Sequence, residues 1–558
     1  MAVLKEEISR IIESALQSAI KDGKLPEAAY PPVKIEYPKD EKFGDYSTPV
    51  AMESARVIKR NPMETGELIK EYIKSSTVIG SVDVVRPGFI NIFVADSYLA
   101  SNIAEVKAQD TGYGRRIKDK PSHICIEFVS ANPTGPLNVV SARAAALGDT
   151  LANLMDAAGD TVDREFYIND FGNQVNLLGK SVLCRYRECK GETVAFPEDG
   201  YHGEYIKEIA SYVKETFPDE IQSLGSDEEL LIRFFAEKAV AFNVAGQKAD
   251  MELFRVKYNQ WFHESWLHRD DKVMMTLKAL ESKGVIYEED GKKIFASTRF
   301  GDDKDRVVVR DDGRPTYLLA DIAYHLNKYE RGYDRVIDIW GPDHHGYIAR
   351  ISGAIEALGF NRDSFRVLIA QQVNLLAGGE LVKMSKRLGN FSKMKDLIEE
   401  IGTDVSRFFF VMRSMESHLD FDLELAKKQS SENPVFYLQY AHARICSVFR
   451  EAEKQGYAAA ASADDAAAYF ATPEARNLLI LIAKYPDEVV DAAENMEPHR
   501  ITSFLLRIAQ GYHKFYFEHR ILTEDKARSE AYLSLCHSVR VTLRNGLMLL
   551  GVDAPERM

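Results

Sequence analysis

From His123 to Asp149 the chain reads HICIEFVSANPTGPLNVVSARAAALGD: an almost unbroken apolar run, a loop with Pro133, Gly135 and Pro136, then a helical pattern. An apolar run bounded by turn residues is what a parallel strand covered on both faces requires. In the helix, Leu137, Val140, Ala144, Leu147, Leu151 and Leu154 alternate steps of three and four and make one apolar stripe. Pro136 suits the first helical position, where its missing N–H costs nothing, and Gly159 follows the end. The run VDREFYIND supplies a second strand, so strand, helix and strand make a right-handed parallel crossover. RVIDIWGPDHHGY and RVLIAQQVNLLAG repeat the pattern later. The predicted fold class is α/β, with a Rossmann-like parallel sheet.

A chain of 558 residues is too long for one hydrophobic core and should divide. Residues 1–112 read as a first α+β domain, with an amphipathic opening helix and the strand-like VDVVRPGFINIFV. The charged RRIKDKP is a linker, and residues 118–403 carry the sheet. A charged, mostly helical insertion occupies about 178–280, followed by a hairpin-like stretch from Gly284 to Leu319. After Gly402 strand signals stop, and residues 404–558 read as an all-α bundle.

The formal charge of −14 disfavours indiscriminate binding to phosphate backbones, so any nucleic acid must be met by local basic faces. Five scattered cysteines argue for a reducing compartment and against a disulfide framework. Cys184 and Cys189 lack a second pair at ligand spacing, so no structural metal is expected. No segment approaches the roughly 18 apolar residues of a membrane span. The expected setting is cytoplasmic, without a membrane partner.

A second informative stretch is GGELVKMSKRLGNF, in which Lys383, Lys386 and Arg387 surround Ser385. Alone, KMSKR reads as a solvated basic turn. Beside a split nucleotide-binding sheet, it reads as cations able to close over a polyphosphate.

The loop NPTGPLNVVS and the loop KMSKR together resemble the paired signatures of class I aminoacyl-tRNA synthetases, which grip ATP from two sides. Further motifs narrow the resemblance to the arginyl-tRNA synthetase family over nearly the whole chain: REFYINDFGNQV, FGDDKDRVVVRDDGRPTYLLADIAYHL, GPDHHGY, MRSMESHLDFDLELA, NPVFYLQYAHARI and the closing LGVDAPERM. FGDYSTPVAM and RPGFINIF resemble the N-terminal domain that meets the tRNA elbow, and residues 404–558 the anticodon-binding bundle.

The resemblance implies ATP-dependent activation of L-arginine to arginyl-adenylate and transfer to the terminal adenosine of arginine tRNA. A planar guanidinium is best held by a carboxylate. Asp321, one helical turn after Tyr317, is the implied partner. Glu127, Ser130, Asn132 and Ser141 complete the implied arginine site. For ATP the resemblance implies Asn138, Ser141, Gly341, Asp343, His344, His345, Lys383, Ser385 and Lys386, with Lys383, Lys386 and Asn138 catalytic. Mg²⁺ would arrive on the phosphates of ATP. Tyr437, Tyr440, His442 and Arg444 are implied tRNA contacts, and a monomer is the family expectation.

The chain departs from the family at one place. Asn138, Val140 and Ser141 stand where members usually have His, Gly and His. Two donors and a helix N-terminus remain there. The expectation is a working enzyme with a variant ATP signature; the alternative is a paralogue that binds tRNA or arginine without catalysing.

Overall fold

A computed structural model describes residues 3–74, 76–381, 393–459 and 467–558. They form two compact units: one of Lys120–Asp156 and Asp160–Lys427, the other of Met1–Asp119, Ala157–Gly159 and Lys428–Met558.

The first unit is built on five parallel strands: β1 (His123–Glu127), β2 (Thr161–Ile168), β3 (Gln260–His263), β4 (Arg335–Trp340) and β5 (Phe365–Ile369). Their spatial order is β5-β4-β1-β2-β3. The chain runs outward from β1 on one side, then returns to lay β4 on the other. The gap beyond the carboxyl ends of β1 and β4 is therefore the topological switch point, where open α/β sheets bind their ligands. Helix α1 (Val139–Ala157) follows β1, α2 (Asn173–Glu188) follows β2, α3 (Glu228–Leu253) lies in the insertion, and α4 (Tyr317–Glu330) precedes β4.

Several sequence expectations are corrected. Helix α1 begins at Val139, so Pro136 precedes the helix rather than occupying its first position. Of its stripe, Leu137, Leu147, Leu151 and Leu154 are buried as expected, whereas Val140 and Ala144 are half-buried and Val139, Ala142, Arg143 and Ala146 are buried as well. The helix is covered on most sides, so a single stripe does not describe it. Strand β3, QWFH, joins the parallel sheet from within the stretch read as a helical insertion. Leu419–Asp422 pairs in parallel with Val373–Ala377, so strand structure continues beyond Gly402. Residues up to Lys427 pack with the sheet rather than with the bundle. The hairpin-like stretch is a three-stranded antiparallel sheet of Ile286–Glu289, Lys292–Phe295 and Arg306–Val309.

Two buried arginines lock α1 to its surroundings. Arg143 donates to the carbonyls of Gln371, Gln372, Ser414 and Ser417, and Arg407 donates to Asp149 at 2.6 Å.

In the second unit, Phe89–Val94 is the central strand of an antiparallel sheet with Tyr46–Thr48 and Ile79–Val85. Four long helices make its bundle: Pro434–Lys454, Pro473–Glu494, His499–Glu518 and Lys526–Leu549. Asp487, buried on the second of these, accepts from the Tyr46 hydroxyl at 2.6 Å and from the Lys5 backbone N–H at 3.1 Å. No helix among the described residues is long and apolar enough to cross a membrane.

Candidate active site

Immediately after β1, Val129 and Ser130 adopt φ values of 72° and 41°. Left-handed backbone is costly for non-glycine residues, above all for β-branched valine, and such strain gathers at functional sites. The turn brings the Ser130 hydroxyl back to donate to Glu127 Oε1 at 2.7 Å, and Tyr167 N–H donates to Ser130 Oγ at 3.1 Å. The loop beyond is held from the insertion. Asn243 Nδ2 donates to the Pro133 carbonyl at 2.8 Å, Gln247 Nε2 to those of Asn132 and Gly135 at 3.2 and 3.1 Å, and Tyr205 Oη to Thr134 at 2.7 Å. These ties leave the Asn132 side chain exposed at the mouth.

Asn138 caps α1. Its Oδ1 accepts from the Ser141 N–H at 2.9 Å and from the Ser141 hydroxyl at 3.2 Å. A side-chain oxygen satisfying the third helical amide is the preferred way to begin a helix. The two signature residues are thus bonded to each other. Lys383, Ser385 and Lys386 lie outside the described residues. The described chain resumes at Lys393, which forms an antiparallel bridge with Asn138, and the Met394 N–H donates to the Leu137 carbonyl at 2.9 Å. Lys393 and Met394 are therefore tied to the start of α1.

Gly341 follows β4 on the opposite wall of the switch point, and a Cβ built on it meets nothing within 4 Å. Asp343, His344 and His345 follow it, all exposed. The rings of His344 and Trp340 meet edge to face at 6.2 Å.

The remaining wall is α4. Tyr317 opens the helix with 61% of its surface exposed, lining a cavity of about 360 Å³ together with Phe171, Gly172, Glu264, His268 and Ala320. Asp321, one turn further, accepts from the Tyr347 hydroxyl at 2.8 Å. Burial raises the Asp321 carboxyl to about 6, the Tyr347 bond opposes this, and Glu264 adds to the rise. Two carboxylates, Glu264 buried and Asp321 half-buried, beside an exposed phenol are a site that calls for a cation.

Sequence reading missed Glu264 and Tyr347, and it missed His325, Lys328 and Asp338, which lie buried beneath the site. A signal existed for the last of these, because Asp338 is the only charged residue inside the apolar run VIDIW.

Three family models cover the chain: "Arginyl tRNA synthetase N terminal domain" over residues 6–94, "tRNA synthetases class I (R), catalytic domain" over 102–409, and "DALR anticodon binding domain" over 438–558. The chain is 47% identical to the arginine–tRNA ligase of Leptospira interrogans, spanning 100% of this chain and 98% of that protein. The chain belongs to the arginyl-tRNA synthetase family. It is 44% identical to the Listeria monocytogenes arginine–tRNA ligase, with 100% of both chains covered. The solved Thermus thermophilus arginyl-tRNA synthetase shares the fold, with a TM-score of 0.76 over 99% of this chain and 100% of that one at 22% identity. As an arginyl-tRNA synthetase the chain is a class I arginine–tRNA ligase, with ATP, arginine and tRNA as substrates.

In the bundle, Arg444 lies over the rings of Tyr440 and Tyr516 at 4.6 and 4.8 Å, and Tyr437 packs on His513 at 4.7 Å. His442 does not join this surface. It is 3% exposed and bonded through Nδ1 to the Pro555 carbonyl at 2.9 Å, which corrects its assignment as a tRNA contact.

Proposed function

We propose that the switch point is a working adenylation site in which the Asn-Val-Val-Ser turn replaces two imidazoles. Asp321, with Glu264 beside it, holds the guanidinium through parallel charge-assisted hydrogen bonds. Glu127, Ser130 and Asn132 hold the amino-acid head group, and Tyr317 closes the cavity. Asn138 and Ser141 present the N-terminus of α1 to ATP, whose phosphates meet partial positive charge there whatever the side chains. Gly341 admits the nucleotide close to the backbone, with Asp343, His344 and His345 around it.

The arginine carboxylate attacks the α-phosphorus, and pyrophosphate leaves with its charge neutralised by Lys383 and Lys386. A ribose hydroxyl of the terminal adenosine then attacks the adenylate carbonyl and AMP leaves. Mg²⁺ would travel on the phosphates, since hard cations of this kind keep few protein ligands. Residues 1–112 would meet the tRNA elbow and residues 428–558 the anticodon, with Tyr437, Tyr440 and Arg444 on the contacting surface. The chain acts as a cytoplasmic monomer, and arginine activation requires tRNA.

What supports the reading is the bond from Met394 to Leu137, which holds the described chain that resumes at Lys393 beside the residue preceding the variant turn. The test is arginine-dependent charging of arginine tRNA by the purified protein. A chain that binds arginine and tRNA yet charges nothing would be the binding-only paralogue.

A further inference from the structure

Glu127 on β1 and Asp338 on β4 are register partners. Two carboxylates stand side by side at the carboxyl end of the sheet, 7% and 0% exposed. Like charges placed directly opposite destabilise a sheet. Lys328 of α4, itself 0% exposed, answers both, with Nζ 2.5 Å from Glu127 Oε2 and 2.8 Å from Asp338 Oδ1. Asp338 Oδ2 meets His325 Nε2 at 2.8 Å, and His325 Nδ1 meets the Asp321 carbonyl at 2.7 Å. Acceptors thus flank both ring nitrogens of His325, which ties the ring to β4 on one side and to the backbone of Asp321 on the other.

Such a cluster is a weak source of stability, because apolar replacements of buried ion groups are often neutral or stabilising. Its geometry serves position instead. The Glu127 oxygen that Lys328 leaves free takes the Ser130 hydroxyl. On the same helix Asp321 lies seven residues before Lys328, about 10 Å along the axis at 1.5 Å per residue.

We propose that Lys328 is a positioning residue: it fixes Glu127 and Ser130 relative to Asp321, so that one helix sets the side-chain length the arginine site accepts. The inference rests on the head-group and guanidinium assignments of the preceding section.

The test is steady-state charging by Lys328→Met, and by Lys328→Met with Asp338→Asn, which removes one charge of each sign. Both should raise the arginine KM about tenfold or more while the ATP KM changes less than about twofold. Both should also lose discrimination against homoarginine, one methylene longer. In a Glu127→Gln background the lysine change should add little, since groups acting through one another are non-additive. Equal losses toward arginine and ATP, intact discrimination, or additive effects would overturn the proposal; failure of both variants to fold would too, by making Lys328 a folding residue. Asp321→Asn and Glu127→Gln are measured alongside. If these leave arginine use unchanged, the underlying site assignment fails; if they impair it and the lysine variants do not, only the present inference falls.

Discussion

The Tyr347 hydroxyl donates to Asp321 Oδ2 at 2.8 Å, joining the segment after β4 to the second turn of α4. Through this bond a residue outside the helix opposes the effect of burial on the carboxylate assigned to the guanidinium.

A protonated Asp321 cannot pair with a cation, and its carboxyl titrates at about 6 because burial outweighs the tyrosine bond. Arginine kcat/KM should therefore be full above pH 6 and fall as pH drops through it. Tyr347→Phe removes a bond that stabilises the ionised form, so the midpoint should move upward. A pH profile of both proteins checks the sign, and a downward move in the variant would refute the pairing. Asp321→Asn should cost roughly 2 to 5 kcal/mol in arginine use, as breaking a buried charged pair does, with tRNA affinity retained.

Lys386→Ala should lower turnover about 100-fold or more, because its charge is needed only as pyrophosphate leaves. Asn138→Ala should cost about tenfold, since a neutral donor is lost. Asn138 is also a cap, and losing one costs about 0.5 to 2 kcal/mol, so this variant alone should denature earlier in urea.

The surroundings of Asn138 show what the sequence made legible. The strand, loop and helix around Asn138 were readable because a strand covered on both faces is apolar throughout, whatever packs on it. The capping bond was not, since it depends on where the helix begins, and Pro136 pointed three residues too early. Strand β3 was hidden for another reason: four residues set among helices carry no periodicity, and only pairing with β2 makes them a strand. Lys328 was invisible because a lysine on a helix normally faces water. Its burial follows from two carboxylates that meet only after β1 and β4 pair.

Tyr440→Ala should weaken tRNA binding by about 1 to 3 kcal/mol, the value of one base stack, with arginine KM unchanged. His442→Ala should leave tRNA affinity intact and lower the melting temperature, because the side chain is buried against the carboxyl-terminal segment. Filter binding and thermal melts separate the two outcomes.

Asp487 offers a stability test. Burial raises its carboxyl to about 7, against an ordinary value of 3.8. The folded form thus holds a proton that the unfolded chain gives up. Stability from this group is full below pH 3.8 and declines until pH 7. Asp487→Asn keeps the shape and cannot ionise, so urea midpoints should favour the variant progressively as pH rises from 5 to 7. A constant difference would show that Asp487 does not titrate there.

Arg143 lies five residues past Asn138 on the same helix, about 7 Å along the axis. Its four acceptors are all backbone carbonyls, so no carboxylate among them cancels its charge. Burial lowers its pKa only to about 10. Helix α1 therefore carries, close to its cap along the axis, a positive charge that protons neither create nor remove near neutrality, where an imidazole would lose its charge.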